Sequence, residues 1–221
     1  MQLSRIVLAS SLILTSISAH ADWWGTLSGR SANPANSPGL SVEGSFTTSG
    51  DYQNIGARIN YGVNEALTIY GDFGQSEFLD DGTSFGAGVF YYLSNLSGSD
   101  GFLSDKDVAV QASYHTSSLD GRGFDIDFSS LGAALLLSPK NAFNPDNGMN
   151  WYANAGFTRL AFDIPRIDLG FGFVAGGGSE DSIELQLGGG IYLPMGPGTL
   201  YAGADLIDEF IFGVGYRYGI Q

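Results

Sequence analysis

From Ile55 onward the chain alternates between apolar and polar positions. Apolar side chains recur at Ile55, Ala57, Ile59 and Tyr61, and again, after Val63-Asn64-Glu65-Ala66, at Leu67, Ile69, Gly71 and Phe73. Arg58, Asn60, Thr68 and Asp72 fill the gaps. A two-residue period broken by a short polar tetrad predicts a β-hairpin. The same unit recurs about ten times along the chain. Leu40, Val42, Gly44 and Phe46 alternate with Ser41, Glu43 and Ser45. Phe85, Ala87, Val89, Tyr91 and Leu93 alternate with Gly86, Gly88, Phe90 and Tyr92. Val108, Val110, Ala112 and Tyr114 oppose Ala109, Gln111, Ser113 and His115.

Further along, FDIDFSSLGAALLL reads as a long strand whose phase slips near Ser129-Ser130, so a bulge is expected there. Trp151, Ala153, Ala155 and Phe157 face away from Tyr152, Asn154 and Thr158. Ile183, Leu185, Leu187, Ile191 and Leu193 alternate with Ser182, Glu184, Gln186 and Tyr192. After PMGPG come Leu200, Ala202, Ala204 and Leu206, with Tyr201 and Asp205 between. The last strand sets Phe210, Phe212, Val214, Tyr216, Tyr218 and Ile220 against Gly213, Gly215 and Arg217.

VNEA and PMGPG predict tight turns on the side of the chain termini. EFLDDGTS, TSSLDGRG and the stretch from Ala161 to Asp181 predict longer acidic or glycine-rich loops, mostly on the other side. Ile167 to Gly176 is a candidate extra strand, and counts of eight or twelve strands stay open beside ten.

The apolar face needs a partner, either a second sheet or lipid. Strands crossing a bilayer at a tilt need roughly 9 to 11 residues, whereas soluble strands average about 5 or 6. Most of these runs have the greater length. Aromatic rings gather at strand ends, with Tyr61, Tyr91, Tyr192, Tyr201, Tyr216 and Tyr218 expected at a membrane boundary. The other face carries Glu43, Arg58, Asp72, Asp127, Glu184, Asp205 and Arg217, more charge than a dry soluble core accepts. In lipid an open sheet edge would leave backbone groups unpaired, so the sheet must close. The fold class expected is therefore all-β, a closed antiparallel up-and-down transmembrane barrel of about ten strands. The inward members Glu43, Arg58, Asp72, Glu184, Asp205 and Arg217 form a charge network packing its lumen.

Composition adds the compartment and removes several functions. Arg5, the run IVLASSLILTSI and Ala19-His20-Ala21 make residues 1–21 a cleaved secretory signal peptide. Residues 22–37, with Trp23-Trp24 and SANPANSP, are expected as a periplasmic or interfacial segment, and residues 38–221 as the barrel. The chain has no cysteine, which excludes disulfides and thiolate chemistry. Its formal charge of −14 disfavours nucleic acid. Gly makes up 33 of 221 residues without a collagen period, in keeping with closely packed strands.

The signal peptide, the GARINYGVNEALTIYGDFG hairpin, WYANAGFTRL, LGGGIYLPMGPGTLYAGAD and the closing FIFGVGYRYGI together resemble the small outer-membrane β-barrel proteins of Gram-negative bacteria. The resemblance implies a bacterial outer membrane, termini in the periplasm, and lipids and lipopolysaccharide as surroundings. It also implies recognition of the terminal aromatics by the outer-membrane assembly machinery. Tyr216, Tyr218 and Ile220 fit that signal, although Gln221 stands where such barrels usually carry Phe.

Three candidate chemistries remain. His115 and Ser117 lie two residues apart on one face, as in outer-membrane lipid hydrolases, with Asp125 or Asp127 available to orient the imidazole. The Asn that follows the Ser in those families is Ser118 here, and His115 points inward, away from lipid. Asp80-Asp81, Glu180-Asp181 and Asp208-Glu209 offer oxygen ligands at expected loop tips but lack a calcium-loop spacing. GFGFVAGGG lacks the Lys-Ser/Thr of a phosphate loop. The expectation is a barrel without catalysis, cofactor or dedicated metal, acting as a structural or surface-interaction protein. A narrow cation-favouring channel for small solutes and a His115/Ser117 hydrolase are the alternatives.

Overall fold

A computed structural model describes Leu27, residues 29–33 and residues 39–220, apart from 51, 79, 98–100, 122–123 and 169–173. Ten strands form one closed sheet: β1 Leu40–Ser49, β2 Tyr52–Gly62, β3 Leu67–Phe78, β4 Asp80–Tyr92, β5 Lys106–Gly121, β6 Phe124–Pro139, β7 Asn150–Asp168, β8 Val174–Met195, β9 Gly198–Leu206 and β10 Phe210–Ile220. Every strand pairs antiparallel with its neighbours in sequence, and β1 closes on β10 from Leu40↔Ile220 to Thr48↔Phe212. No helix among the described residues is long and apolar enough to cross a membrane.

Closure removes every edge within the apolar zone, the requirement for backbone that lipid cannot hydrogen-bond. The alternation read from the sequence sorts the two faces. In β1 the odd positions from Ser41 to Ser49 are buried, whereas Leu40, Val42, Gly44 and Phe46 are exposed. Ile59, Phe73, Phe85, Phe157 and Ile183 each leave more than half of their surface uncovered. Such a continuous apolar exterior far exceeds what a soluble monomer shows and suits lipid. Tyr61 and Tyr91 lie on it near the terminal end of the barrel, as does Tyr218. Phe73 and Phe85 pair farther up, with centroids 5.4 Å apart.

Several expectations change. The strand number is ten, and Ile167 to Gly176 is no extra strand: Ile167–Asp168 end β7 and Val174–Gly176 begin β8. No bulge interrupts β6, because its registers with β5 and β7 run through Ser129 and Ser130 without a skipped residue. The apparent slip arises because Phe128 and Leu136 point inward, where polar residues were expected.

The long connections lie at the terminal end: SNLSGSDGFLSDKD, already long for that side in the sequence, is joined there by residues 140–149, while the loops expected at the other end are short. The described residues of EFLDDGTS and TSSLDGRG, with most of those in the Ala161–Asp181 stretch, continue as paired strand. The longer links are residues 93–105 and 140–149, beside the termini. Pairing keeps backbone groups satisfied beyond the apolar band, so the hairpins grow out of it. Where tight turns were read, the chemistry is plain. Asn64 Oδ1 accepts from Ala66 N at 2.8 Å and Leu67 N at 2.9 Å, and Gly196 turns β8 into β9 at φ 59°.

The apolar exterior makes a quantitative expectation. Ile59→Arg, toward the middle of the band, should cost about 2–4 kcal/mol, whereas Val63→Arg, in the β2–β3 turn, should cost no more than about 1 kcal/mol. Urea titration of protein refolded into phospholipid vesicles measures both, and equal costs would refute the lipid-facing assignment.

Candidate functional site

The site is the lumen, and it is built on one row of the sheet. Cross-strand register aligns Arg217 with Glu43, Glu43 with Arg58, Arg58 with Asp72, Asp72 with Gly86 and Gly86 with His115. Six strands thus present a ladder of alternating charge to the interior. Arg58 Nε and Nη2 donate to the two oxygens of Asp72 at 2.5 and 2.8 Å. Arg217 Nε donates to Glu43 Oε2 at 3.0 Å, Tyr201 OH to Glu43 Oε1 at 2.6 Å and Asn60 Nδ2 to Oε2 at 3.2 Å. Bidentate and multiply hydrogen-bonded pairs of this kind are what makes a buried charge tolerable.

Gly86 extends the ladder by its lack of a side chain. A Cβ at that position would run into the His115 ring. The imidazole therefore crosses β4 and sets Nε2 2.8 Å from Asp72 Oδ2. Because Asp72 accepts, Nε2 is the donor whether the ring is neutral or charged. Other inward rings use the same device: a side chain on Gly88 would collide with Tyr70, and one on Gly215 with Tyr201. Arg58 lies 4.1 Å over Tyr70 and Arg217 5.7 Å from Tyr201, so the rings also stack on the cations.

The lumen contains a stretch of the chain itself. Leu27 is fully buried, and side chains built on Gly213 would meet its Cδ1 at 2.8 Å. Gly29 adopts φ 51°, and its carbonyl accepts from Arg217 Nη2 at 3.1 Å; a Cβ there would meet the Tyr201 ring at 2.5 Å. Arg30 Nη1 donates to Asn60 Oδ1 at 3.3 Å, and its guanidinium lies 4.2 Å over Phe90. Ala32 N donates to Ser138 Oγ at 2.9 Å. These contacts run from the β1–β10 wall near Thr47 to Ser138 near the terminal end, so Leu27 and residues 29–33 pass down the lumen. Residues 22–37 are expected from the sequence as a periplasmic or interfacial segment. For Leu27 and residues 29–33 that is corrected: Arg30, Ser31 and Ala32 are buried among the lumen side chains.

The structure rearranges the other sequence candidates. Glu43, Arg58, Asp72, Asp205 and Arg217 are all buried inside. Asp205 sits apart from the ladder and accepts from Asn154 Nδ2 at 3.1 Å, while Thr158 donates to Gln186 at 3.2 Å nearby. Glu184 shares the inward face but is only half-buried. Tyr192 and Tyr201 are not at the membrane boundary. Both point inward, on the same parity as Gln186 and Asp205, and Tyr201 is 1% exposed. Tyr216 is half-buried and donates to the Met195 carbonyl at 2.9 Å. Trp23 and Trp24 lie outside the described residues, as does the side chain of Asp125.

The hydrolase constellation is not assembled. Asp127 is exposed on the outer face, whereas His115 and Ser117 are buried on the inner one, and Ser117 Oγ has no hydrogen-bond partner among the described residues. The acid that reaches the imidazole is Asp72, 43 residues away and two strands over, a partner that no local spacing could identify. Glu180-Asp181 and Asp80-Asp81 fall in strands rather than loop tips, and Asp181 pairs with Arg159 at 3.2 Å.

No protein-family profile and no curated protein matches the chain. Solved structures similar to it include the translocator domain of the autotransporter NalP from Neisseria meningitidis, at 14% identity over 99% of this chain and 98% of that one, TM-score 0.41. The β domain of the Bordetella autotransporter BrkA has 13% identity over 82% and 98%, TM-score 0.40. LpxR from Salmonella typhimurium has 10% identity over 81% and 100%, TM-score 0.38. Similarity at this level assigns no activity. The closed antiparallel sheet, apolar outside and polar inside, has the architecture of outer-membrane β-barrels.

The ladder yields a thermodynamic test. Arg58→Met strands the Asp72 carboxylate and should cost about 3–5 kcal/mol, while Arg58→Met with Asp72→Leu should recover most of that loss. Urea titration in vesicles gives both values. His115 is the one histidine after residue 20, so its imidazole signals can be followed without interference. Gly86→Ala should remove the slow exchange of its Nε2 proton in NMR spectra, and an unchanged signal would refute the contact across β4.

Proposed function

We propose that this chain is an integral β-barrel of the bacterial outer membrane with a structural or surface-interaction role, its lumen closed to solutes by its own N-terminal segment. The carrying observation is the burial of Leu27 and Arg30 to Ala32 inside the charge ladder. An eight-stranded barrel is just filled by its side chains, and diameter grows with strand number. Ten strands leave room for one further chain segment, and Leu27 with residues 29–33 takes it. Arg30 and the carbonyl of Gly29 complete hydrogen bonds of the wall, so the segment is bound and not merely enclosed.

The barrel is read as non-catalytic. His115 is engaged by Asp72, and Ser117 on the same strand has no hydrogen-bond partner among the described residues. Outer-membrane lipids would contact the exterior, and the hairpins β5–β6 and β7–β8, which extend beyond the apolar band, would meet lipopolysaccharide or an external partner. A cation-favouring channel is the competing reading.

Planar-bilayer recordings of the refolded full-length protein should show no steady conductance, and deletion of residues 27–33 should open a cation-favouring one. Steady conductance in the intact chain would overturn the closed-lumen reading. Turnover of phospholipid or lipid A that disappears in Ser117→Ala would overturn the non-catalytic one.

A further inference from the structure

We infer that the connection between β4 and β5 carries a phospholipid site on the outside of the barrel, with Phe102 and Trp151 against the acyl chains and Lys106 on the headgroup phosphate. A connection at the terminal end can hang free below a barrel, but this one folds back against the wall. Its helical turn, Gly101–Leu103, packs against β5, and Ser97 Oγ accepts from Val108 N at 2.9 Å. Val108 has the outward parity of Tyr114, yet it is buried where Tyr114 is bare.

Lys106 shows on which side the turn lies. It shares the outward parity, and its Nζ is 4.7 Å from the centre of the Phe102 ring and 6.0 Å from that of Trp151, two strands away on the same outer face. Phe102 thus stands beside the lipid-facing wall. It leaves 71% of its surface uncovered, more than the 62% of Phe157 within the apolar exterior. A bare ring adjoining that exterior continues it.

An ammonium on the outer face is costly in hydrocarbon and well placed among headgroups, with its methylenes kept against apolar rings. Asp105, itself exposed, accepts from Lys106 Nζ at 2.7 Å and meets one of its three donors. Lys140, the other lysine of the chain, is exposed on the next connection, and its backbone N donates to the Asp105 carbonyl at 2.9 Å. Both lysines of a chain with a formal charge of −14 therefore stand together at this end. Two ammonium groups around one carboxylate favour an anion, and the rings beside them favour hydrocarbon. A glycerophospholipid presents a phosphate and acyl chains in that order, whereas free phosphate would leave Phe102 and Trp151 unused. The site rests on the lipid-facing exterior and does not depend on whether the lumen conducts.

The chain has no cysteine, so single nitroxide labels can be placed through Phe102→Cys, Phe157→Cys or Glu65→Cys in the full-length protein refolded into phosphatidylglycerol vesicles. Spin-label accessibility to oxygen against a water-soluble nickel chelate reads their depth. The label at position 102 should be shielded from nickel as the one at 157 is, while the label at 65, in the β2–β3 turn, should meet it freely. Equal nickel access at 102 and 65 would overturn the site, and a label at 157 open to nickel would overturn the lipid-facing exterior along with it. Native mass spectrometry of the detergent-purified protein then counts retained phosphatidylglycerol. Lys106→Gln should lower retention severalfold and Lys106→Arg should preserve it; equal retention in both variants and the unaltered protein would overturn the role of Lys106.

Discussion

An ionised side chain taken out of water costs several kcal/mol unless an opposite charge and further hydrogen bonds meet it, and a narrow barrel must take many of them out of water at once. The alternation that puts isoleucine and phenylalanine toward lipid drives every other residue of each strand inward. Here those residues include arginines and carboxylates. The structure meets the constraint by register. Arg217, Glu43, Arg58 and Asp72 are direct cross-strand partners, so pairing the backbones also pairs the charges. A slip of one residue at any of these interfaces would separate the ladder and turn isoleucines into the lumen.

The large glycine content follows from the same crowding. An inward ring is too broad to stand beside a side chain on the next strand, so it lies over a glycine. His115 covers Gly86, Tyr70 covers Gly88, and Tyr201 covers Gly215. Glycine in a strand normally weakens it. In this wall the loss is offset by rings that reach cations and carboxylates otherwise out of range, as His115 reaches Asp72 across an intervening strand.

Wall and lumen segment are mutually dependent. Gly29 needs its left-handed backbone and missing Cβ to pass the Tyr201 ring, and Tyr201 in turn donates to Glu43 at the centre of the ladder. Arg30 stacks on Phe90, a residue whose inward direction would otherwise leave an apolar ring among polar groups. A barrel built this way resembles a folded core turned around a peptide, with lipid taking the place of water outside.

How much of this is legible in the amino-acid order depends on range. The facing of nearly every strand residue was readable, because a period of two is a local property that any antiparallel partner preserves. Closure followed from the chemistry of lipid, and the inward direction of Glu43, Arg58, Asp72, Asp205 and Arg217 from the alternation alone. Even the inward turn of Tyr192 and Tyr201 was present in their parity with Gln186 and Asp205, though aromatic clustering at strand ends pointed elsewhere. Only the tertiary structure decided which charges meet, because Tyr201 and Glu43 are 158 residues apart and His115 and Asp72 sit two strands apart. It also decided that Leu27 and residues 29–33 lie within the lumen. A polar segment without period carries no sign of the surface it will be packed against; that surface exists only once ten strands have closed around it.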